Sequence, residues 1–426
     1  MTVSPPAPVS PRREPGERAE HVDTFGLHRS PRTLLFGAGQ RRELGRLAGA
    51  YGTRALVCTD ARLAASDTLR ELVDDLGRHG VTAVVWADTQ LELPIGSVEA
   101  CYAVARTAAA DMVIGVGGGS CLDMAKAIAL LLSHGGPLDR YYGEDAVPGP
   151  TVPVIAVPTT AGTGSEATPV LVVNDESREL KTGISSVHLI PAAAICDPEL
   201  TYTCPPALTA SAGADALTHL VESFTAIRRP STVTSESRVF MGKNVISDMY
   251  ARWGLGLVAE SLPRAFRQPD DRRARARTML AANAGGQALS VAGTAAAHAL
   301  QYPLGALTHT PHGVGVGVLL PYVMRFNLPA RVAEFCEIAA ILGSDRGGSP
   351  RDVALAGIEA VDRVLDAIGI PATLQDLGLP RHQVDYVARM GLRSRRLVDN
   401  NPRPLGYEEL LAITEAAYTG DRHRSW

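Results

Sequence analysis

Residues 112 to 132, MVIGVGGGSCLDMAKAIALLL, pass from an unbroken apolar run through three glycines and a serine into a second apolar run with helical spacing. A short stretch rich in valine and isoleucine and stopped by glycine reads as a buried strand, which belongs in a sheet covered on both faces. Neighbouring segments repeat the pattern. ALVCTD (55 to 60), TAVVWAD (82 to 88) and VPVIAVP (152 to 158) are strand-like, while ARLAASDTLRELVDDLGRHG (61 to 80) and VEACYAVARTAAA (98 to 110) space apolar residues as an amphipathic helix does. Strands alternating with helices from about residue 33 to 200 predict a parallel sheet in an α/β domain.

Glycines between a strand and a helix let the backbone approach a ligand, and the helix N-terminus offers free N–H groups to a phosphate. A tight turn would use the same residues. A second loop, PTTAGTGSEATP (158 to 169), follows another strand and presents Thr159, Thr160, Thr163 and Ser165. Two such loops at the carboxyl ends of strands in one sheet favour a dinucleotide and a Rossmann-like domain. Asp60, closing ALVCTD, could accept hydrogen bonds from an adenosine ribose and would repel a 2′-phosphate, favouring NAD over NADP; an aspartate there is also a common turn residue.

After about residue 206 the pattern becomes alanine- and leucine-rich with helical period, predicting an all-helical second half. Asp215 and His219 stand four apart in GADALTHLVES, on one helix face. His298 falls in the helical run GTAAAHAL, and His312 follows Pro311 and precedes Gly313, where the chain must leave that helix. One carboxylate and three imidazoles could collect a divalent cation with a position open for substrate, though spacing alone equally allows ordinary core histidines. His309 sits between two prolines without register to the others, and the remaining histidines have no partner motif.

At 426 residues and 46% hydrophobic content the chain can bury two cores. The expected division is a disordered tail (1 to 24), an α/β nucleotide-binding domain (25 to 205) and a helical metal and substrate domain (206 to 426). A net charge of −4 with both signs spread along the chain gives no field that argues for nucleic acid or a membrane surface. The six scattered cysteines read as reduced thiols in a cytosol, and no apolar run approaches bilayer length. A soluble, cytoplasmic protein is the expectation.

With these residues in hand the chain resembles the iron-containing (group III) alcohol dehydrogenases. GGGSCLDMAK (117 to 126), PTTAGTGSEATP, GADALTHLVES and HALQYPLGALTHTPHGVGVGVLLP (298 to 321) carry the likeness, with NNPRPLGYEELLAITEAAY near the end, so that it spans about residues 25 to 420. The resemblance implies a dehydroquinate synthase-like architecture: a Rossmann-like domain followed by an all-α metal-binding domain. It implies that Gly117, Gly118, Gly119 and Ser120 bind the pyrophosphate and that Asp123 approaches the ribose and nicotinamide. Thr159, Thr160 and Thr163 would line the adenosine and phosphate path, and Lys181 would contact the cofactor. Asp215, His219, His298 and His312 would be the ligands of a divalent metal, iron(II) first and zinc second. A dimer or larger homo-oligomer is implied as well.

Three features depart from the family pattern. Many relatives carry a histidine four residues after the one at 298, where this chain has Tyr302; a phenol is a poor base at pH 7 but a good donor. His298 at the metal and Tyr302 as donor to the nascent alkoxide are the catalytic expectation, with a space-filling Tyr302 as the alternative. The segment from 227 to 253 carries Arg228, Arg229, Arg238, Lys243 and Arg252 against Glu236 and Asp248, and could steer an anionic substrate toward the metal or be a solvated face. The loop after the second strand reads ADTQLELP in place of the usual proline- and asparagine-containing one.

The implied chemistry is metal-assisted hydride transfer between NAD(H) and a small aldehyde or alcohol, with a carboxylate or phosphonate aldehyde as one substrate class. Reduction of neutral short-chain aldehydes or polyols, in the manner of glycerol dehydrogenase, is the alternative. A catalytically silent nucleotide-binding regulator is the alternative outside enzymes.

Overall fold

The computed structural model describes residues 25–178, 181–230, 238–424 and 426; the tail expected over 1 to 24, and Glu236 of the basic segment, lie outside the described residues. The strands are β1 (Thr33–Phe36), β2 (Arg54–Cys58), β3 (Thr82–Trp86), β4 (Met112–Gly117), β5 (Gly143–Glu144), β6 (Val154–Pro158), β7 (Val170–Val173), β8 (Thr182–Ser185) and β9 (Ala193–Cys196). Six of them form a parallel sheet in the order β1-β9-β6-β4-β2-β3. The order reverses at β2 and β4, and at such a switch the loops leaving the strand ends part to form a crevice. The glycine loop leaves β4 at that point.

The helices of this half are α1 (Leu44–Ala48), α2 (Ala61–Ala64), α3 (Asp67–Arg78), α4 (Ile95–Thr107) and α5 (Gly119–His134). Side-chain alternation along the strands sorts them. Ala55, Val57, Met112 and Ile114 pack with Leu44, Leu47, Leu69 and Leu72 of α1 and α3, whereas Leu56 and Val113 pack with Val98, Cys101 and Met124 of α4 and α5. Opposite faces of one strand therefore each meet a helix layer. The helical run 61 to 80 is divided in two because Asp60 and Ser66 both act as N-caps, accepting from Leu63 N at 2.8 Å and Leu69 N at 3.2 Å.

β1 and β9, TLLF and AAIC, complete the sheet on one side, and β5, β7 and β8 form a separate three-stranded sheet. Neither β1, β9 nor the antiparallel β7–β8 pair stands out in the sequence, because four residues carry too little periodicity.

The second half contains α6 (Pro206–Thr225), α7 (Val245–Arg267), α8 (Arg272–Ala292), α9 (Ala296–Thr308), α10 (His312–Asn327), α11 (Val332–Ile341), α12 (Pro350–Ala367), α13 (Val384–Arg393), α14 (Arg395–Val398) and α15 (Tyr407–Thr419). The helical run that leads into GTAAAHAL is interrupted at Gly293, whose φ of 75° ends α8. His309, with φ 54°, ends α9, and Pro311 caps the start of α10. The chain thus leaves a helix before His312, which is itself the first residue of the next. From Gly213 onward α6 is buried on every side, packed by α7, α8 and α10, so its polar side chains there have only one another and the protein as partners. Among the described residues no helix is long and apolar enough to cross a membrane.

Candidate metal centre

Asp215 and His219 project from one face of α6, His298 from α9, and His312 from the first turn of α10. The Asp215 carboxylate oxygen Oδ1 lies 3.4 Å from His219 Nε2, 3.7 Å from His298 Nε2 and 3.5 Å from His312 Nε2. His219 and His298 Nε2 are 3.1 Å apart, with their rings stacked. Oδ1 is buried and makes no hydrogen bond. Two nitrogen or oxygen ligands at about 2.1 Å from a tetrahedral ion are about 3.4 Å apart, so these spacings are edges of a coordination shell rather than hydrogen bonds. Three imidazoles and a carboxylate suit iron(II) and also zinc, with the proton on His298 given up when an ion is held. His309 stays outside the cluster, turned into the αL bend that ends α9.

The electrostatics follow from the burial. Burial alone would raise the Asp215 carboxyl, but the imidazoles of His219, His312 and His298 hold it well below the usual carboxylate range. Burial pushes His312 down to about 3 and lowers His219, leaving both neutral and able to ligate. His298 differs because burial is outweighed by Glu222 and Asp215, which raise it to about 9.

Glu222, three residues past His219 on the same face, was not singled out in the sequence. Its Oε2 lies 2.7 Å from His298 Nδ1, and its two oxygens also accept from Ala295 N at 2.9 Å and Ala297 N at 2.8 Å. A carboxylate on Nδ1 fixes the ring so that Nε2 faces the cluster. The register 215, 219, 222 on one helix face was the available signal.

Across the crevice, Gly117 has φ 153° and a side chain there would meet Cys121 Sγ at 2.5 Å, while a Cβ on Gly119 would meet Thr163 Cγ2 at 2.8 Å. The second loop therefore presses directly on the first. Gly118, Ser120, Thr160 and Thr163 are half-buried at this junction, whereas Thr159 is buried and its N–H donates to Gly117 O. Asp60 uses one oxygen to cap α2. Lys181 pairs with Glu92 at 2.7 Å and acts electrostatically on His312.

Asp123 commits both oxygens to the protein, accepting from Ser165 Oγ at 2.7 Å and Val172 N at 2.9 Å. One turn on, Lys126 Nζ is fully buried and donates to Ser165 Oγ, Thr168 O and Val170 O at 2.8 to 2.9 Å. Sequence reasoning passed over this lysine, which straps the second loop to α5. Burial lowers it to about 8, opposed by Asp123 and Glu166. Lys126→Met leaves Asp123 and two carbonyls without their cation, and we expect a loss of about 3 kcal/mol in urea denaturation together with a raised KM for NADH. An unchanged denaturation midpoint would show that the strap is dispensable.

Four of the five cations of the basic segment have partners among the described residues. Lys243 pairs with Asp248 at 2.8 Å and Glu334 at 3.2 Å, Arg228 with Asp248, and Arg252 with Glu337. Arg229 donates to Asn400 Oδ1 at 3.0 Å. These four cations hold α7 and the stretch of chain before it to their neighbours, whereas Arg238 is exposed.

Residues 31–198 match the family model described as iron-containing alcohol dehydrogenase, and residues 209–418 match the C-terminal model of the Fe-containing alcohol dehydrogenase family. The chain belongs to the iron-containing alcohol dehydrogenase family. It is accordingly an oxidoreductase of the NAD-linked, iron-type alcohol dehydrogenase and aldehyde reductase class. Among relatives of this iron-containing alcohol dehydrogenase, sulfoacetaldehyde reductase of Bilophila wadsworthia (strain 3_1_6) is 31% identical over 396 residues, 92% of this chain and 99% of that protein. The crystal structure of a 1,3-propanediol oxidoreductase superposes with a TM-score of 0.86 at 32% identity, covering 92% of this chain and 100% of that one. Sulfoacetaldehyde reductase from Bifidobacterium kashiwanohense, solved in complex with NAD+, gives a TM-score of 0.79 at 29% identity, over 92% of this chain and 99% of that one.

Proposed function

We propose that this chain is an iron-dependent reductase of short aldehydes that bear an anionic group, using NADH. The observation that carries the reading is the meeting of three imidazoles on one buried carboxylate oxygen that lacks any hydrogen bond. Asp215, His219, His298 and His312 hold the ion, and Glu222 keeps Nε2 of His298 turned toward it. Bound iron supplies a Lewis acid for the carbonyl oxygen, and the bound nicotinamide supplies the hydride. The backbone of Gly117, Gly118, Gly119 and Ser120, at the N-terminus of α5, takes the pyrophosphate. Thr160 and Thr163 line its path, and Lys181 lies at its metal-facing end.

Tyr302 stands one turn after His298, its ring centroid 6.4 Å from that of His312. Burial raises its phenol above the ordinary value. It therefore keeps its proton at neutral pH and donates a hydrogen bond to the substrate oxygen, which suits reduction better than oxidation. The anionic substrate class draws on the two sulfoacetaldehyde reductases among the similar proteins; the 1,3-propanediol oxidoreductase favours a neutral alternative.

NADH oxidation by iron-loaded protein, followed over small anionic and neutral aldehydes with and without a chelator, tests the reading. We expect chelator-sensitive turnover with lower KM for the anionic members. Lower KM for neutral aldehydes would favour the diol-type reading, and no turnover with any aldehyde would favour a nucleotide-binding regulator.

A further inference from the structure

Resting on the reading just given, we propose that Arg396 is the residue that recognises the anionic end of the substrate. α14 packs against α9, the helix that carries His298 and Tyr302. The two adjacent arginines at its start behave differently. Arg395 is exposed and paired with Asp399 at 2.9 Å, as a solvated surface charge is. Arg396 is half-buried, and its guanidinium lies 4.4 Å over the ring of Phe240. Among the described residues it makes no hydrogen bond and no ion pair.

That combination is unusual for a desolvated cation. A guanidinium has five N–H donors in one plane, and stacking on an aromatic face orients the plane while leaving its edge free. Burial lowers its proton affinity, yet an arginine stays charged. Three buried or half-buried lysines, by contrast, are engaged: Lys181 with Glu92, Lys126 with Ser165, Thr168 and Val170, and Lys243 with Asp248 and Glu334. Of the titratable groups that act on Arg396, Tyr302 is the strongest, ahead of Glu144 and Glu222.

Tyr302 in turn stands one helical turn, about 6 Å, beyond His298. Arg396 and Tyr302 act on each other electrostatically, and the helices that carry them are packed together. An aldehyde with its carbonyl at the cluster and its hydrogen bond from Tyr302 directs its far end to Arg396, so the ligand is a short chain of a few bonds ending in oxyanion oxygens. Carboxylate, sulfonate and phosphonate share that chemistry, and each can accept two parallel N–H bonds from the fork. A neutral methyl or hydroxyl terminus leaves the guanidinium desolvated and unpaired, which turns the same residue into a discriminator.

The experiment compares wild type, Arg396→Gln and Arg396→Lys, all iron-loaded, with sulfoacetaldehyde, malonic semialdehyde, phosphonoacetaldehyde and propanal. We expect Arg396→Gln to lower the ratio of kcat/KM for anionic aldehydes to that for propanal by roughly 10- to 100-fold through KM, with partial recovery in Arg396→Lys. Calorimetric titration of 2-hydroxyethanesulfonate and 3-hydroxypropanoate into NAD+-bound protein gives a readout independent of turnover, and the same fold-loss is expected there. The lowest wild-type KM identifies which oxyanion is preferred. An equal fall for propanal would make Arg396 a packing residue and overturn the inference. Wild-type turnover of propanal without preference for any anionic member overturns it while leaving an aldehyde reductase. Absence of NADH oxidation with all four overturns the reading beneath it.

Discussion

His298→Ala is expected to lose iron and to lower aldehyde reduction by on the order of a thousandfold, because it removes one of the three imidazoles gathered on Asp215 Oδ1. Its Nε2 sits 3.1 Å from His219 Nε2 and 3.7 Å from Asp215 Oδ1, and the ring is 3% exposed. A water that fills the space left by the ring is a weaker and less fixed donor than the imidazole it replaces. The variant keeps its fold, since Glu222 retains the Ala295 and Ala297 N–H groups when the imidazole is gone. The cost of one lost charge-assisted bond is about 1 to 3 kcal/mol. Elemental analysis and circular dichroism on the same preparation check both halves; stoichiometric iron with more than a tenth of wild-type activity would remove His298 from the ligand set.

A second large effect comes from a residue with no chemistry of its own. A Cβ on Gly313 would lie 1.9 Å from Ser211 O, 2.7 Å from Ser211 C and 3.1 Å from Asp215 Cβ. Gly313 has an ordinary helical backbone, so alanine there would by itself add a few tenths of a kcal/mol to stability. Contact with a backbone carbonyl decides the sign instead, because neither α6 nor the first turn of α10 has a flexible end to move. The turn must retreat by about an ångström or more, and His312 goes with it. Metal sites tolerate about 0.2 Å in ligand distance. We expect Gly313→Ala to remain folded and to bind iron roughly 100-fold more weakly in competition with a chelator, with kcat/KM falling alongside. Wild-type affinity in that titration would mean that α6 and α10 can separate without moving the ligand.

Local chemistry was legible where it repeats over many residues. The runs around β2, β3, β4 and β6 are apolar and stopped by Gly, Asp or Pro, and Asp215 and His219 share a helix face by spacing alone. β1 and β9 escaped notice because TLLF and AAIC become strands only through their neighbours. The pairing within the basic segment was hidden for a related reason: Arg252 finds its carboxylate at Glu337, 85 residues away, and charge counting within a segment does not see it. Glu222 was visible in principle, whereas Arg396 was not, because what distinguishes it from Arg395 is a ring contributed by Phe240 and a wall contributed by α9.

Glu222 closes its three bonds entirely within the protein, two of them to the backbone at the start of α9. The orientation of His298 is therefore tied through Glu222 to the turn between α8 and α9. The aim of one imidazole is thereby written into a turn of main chain, and a change in that turn reaches His298 as surely as a change at its own position.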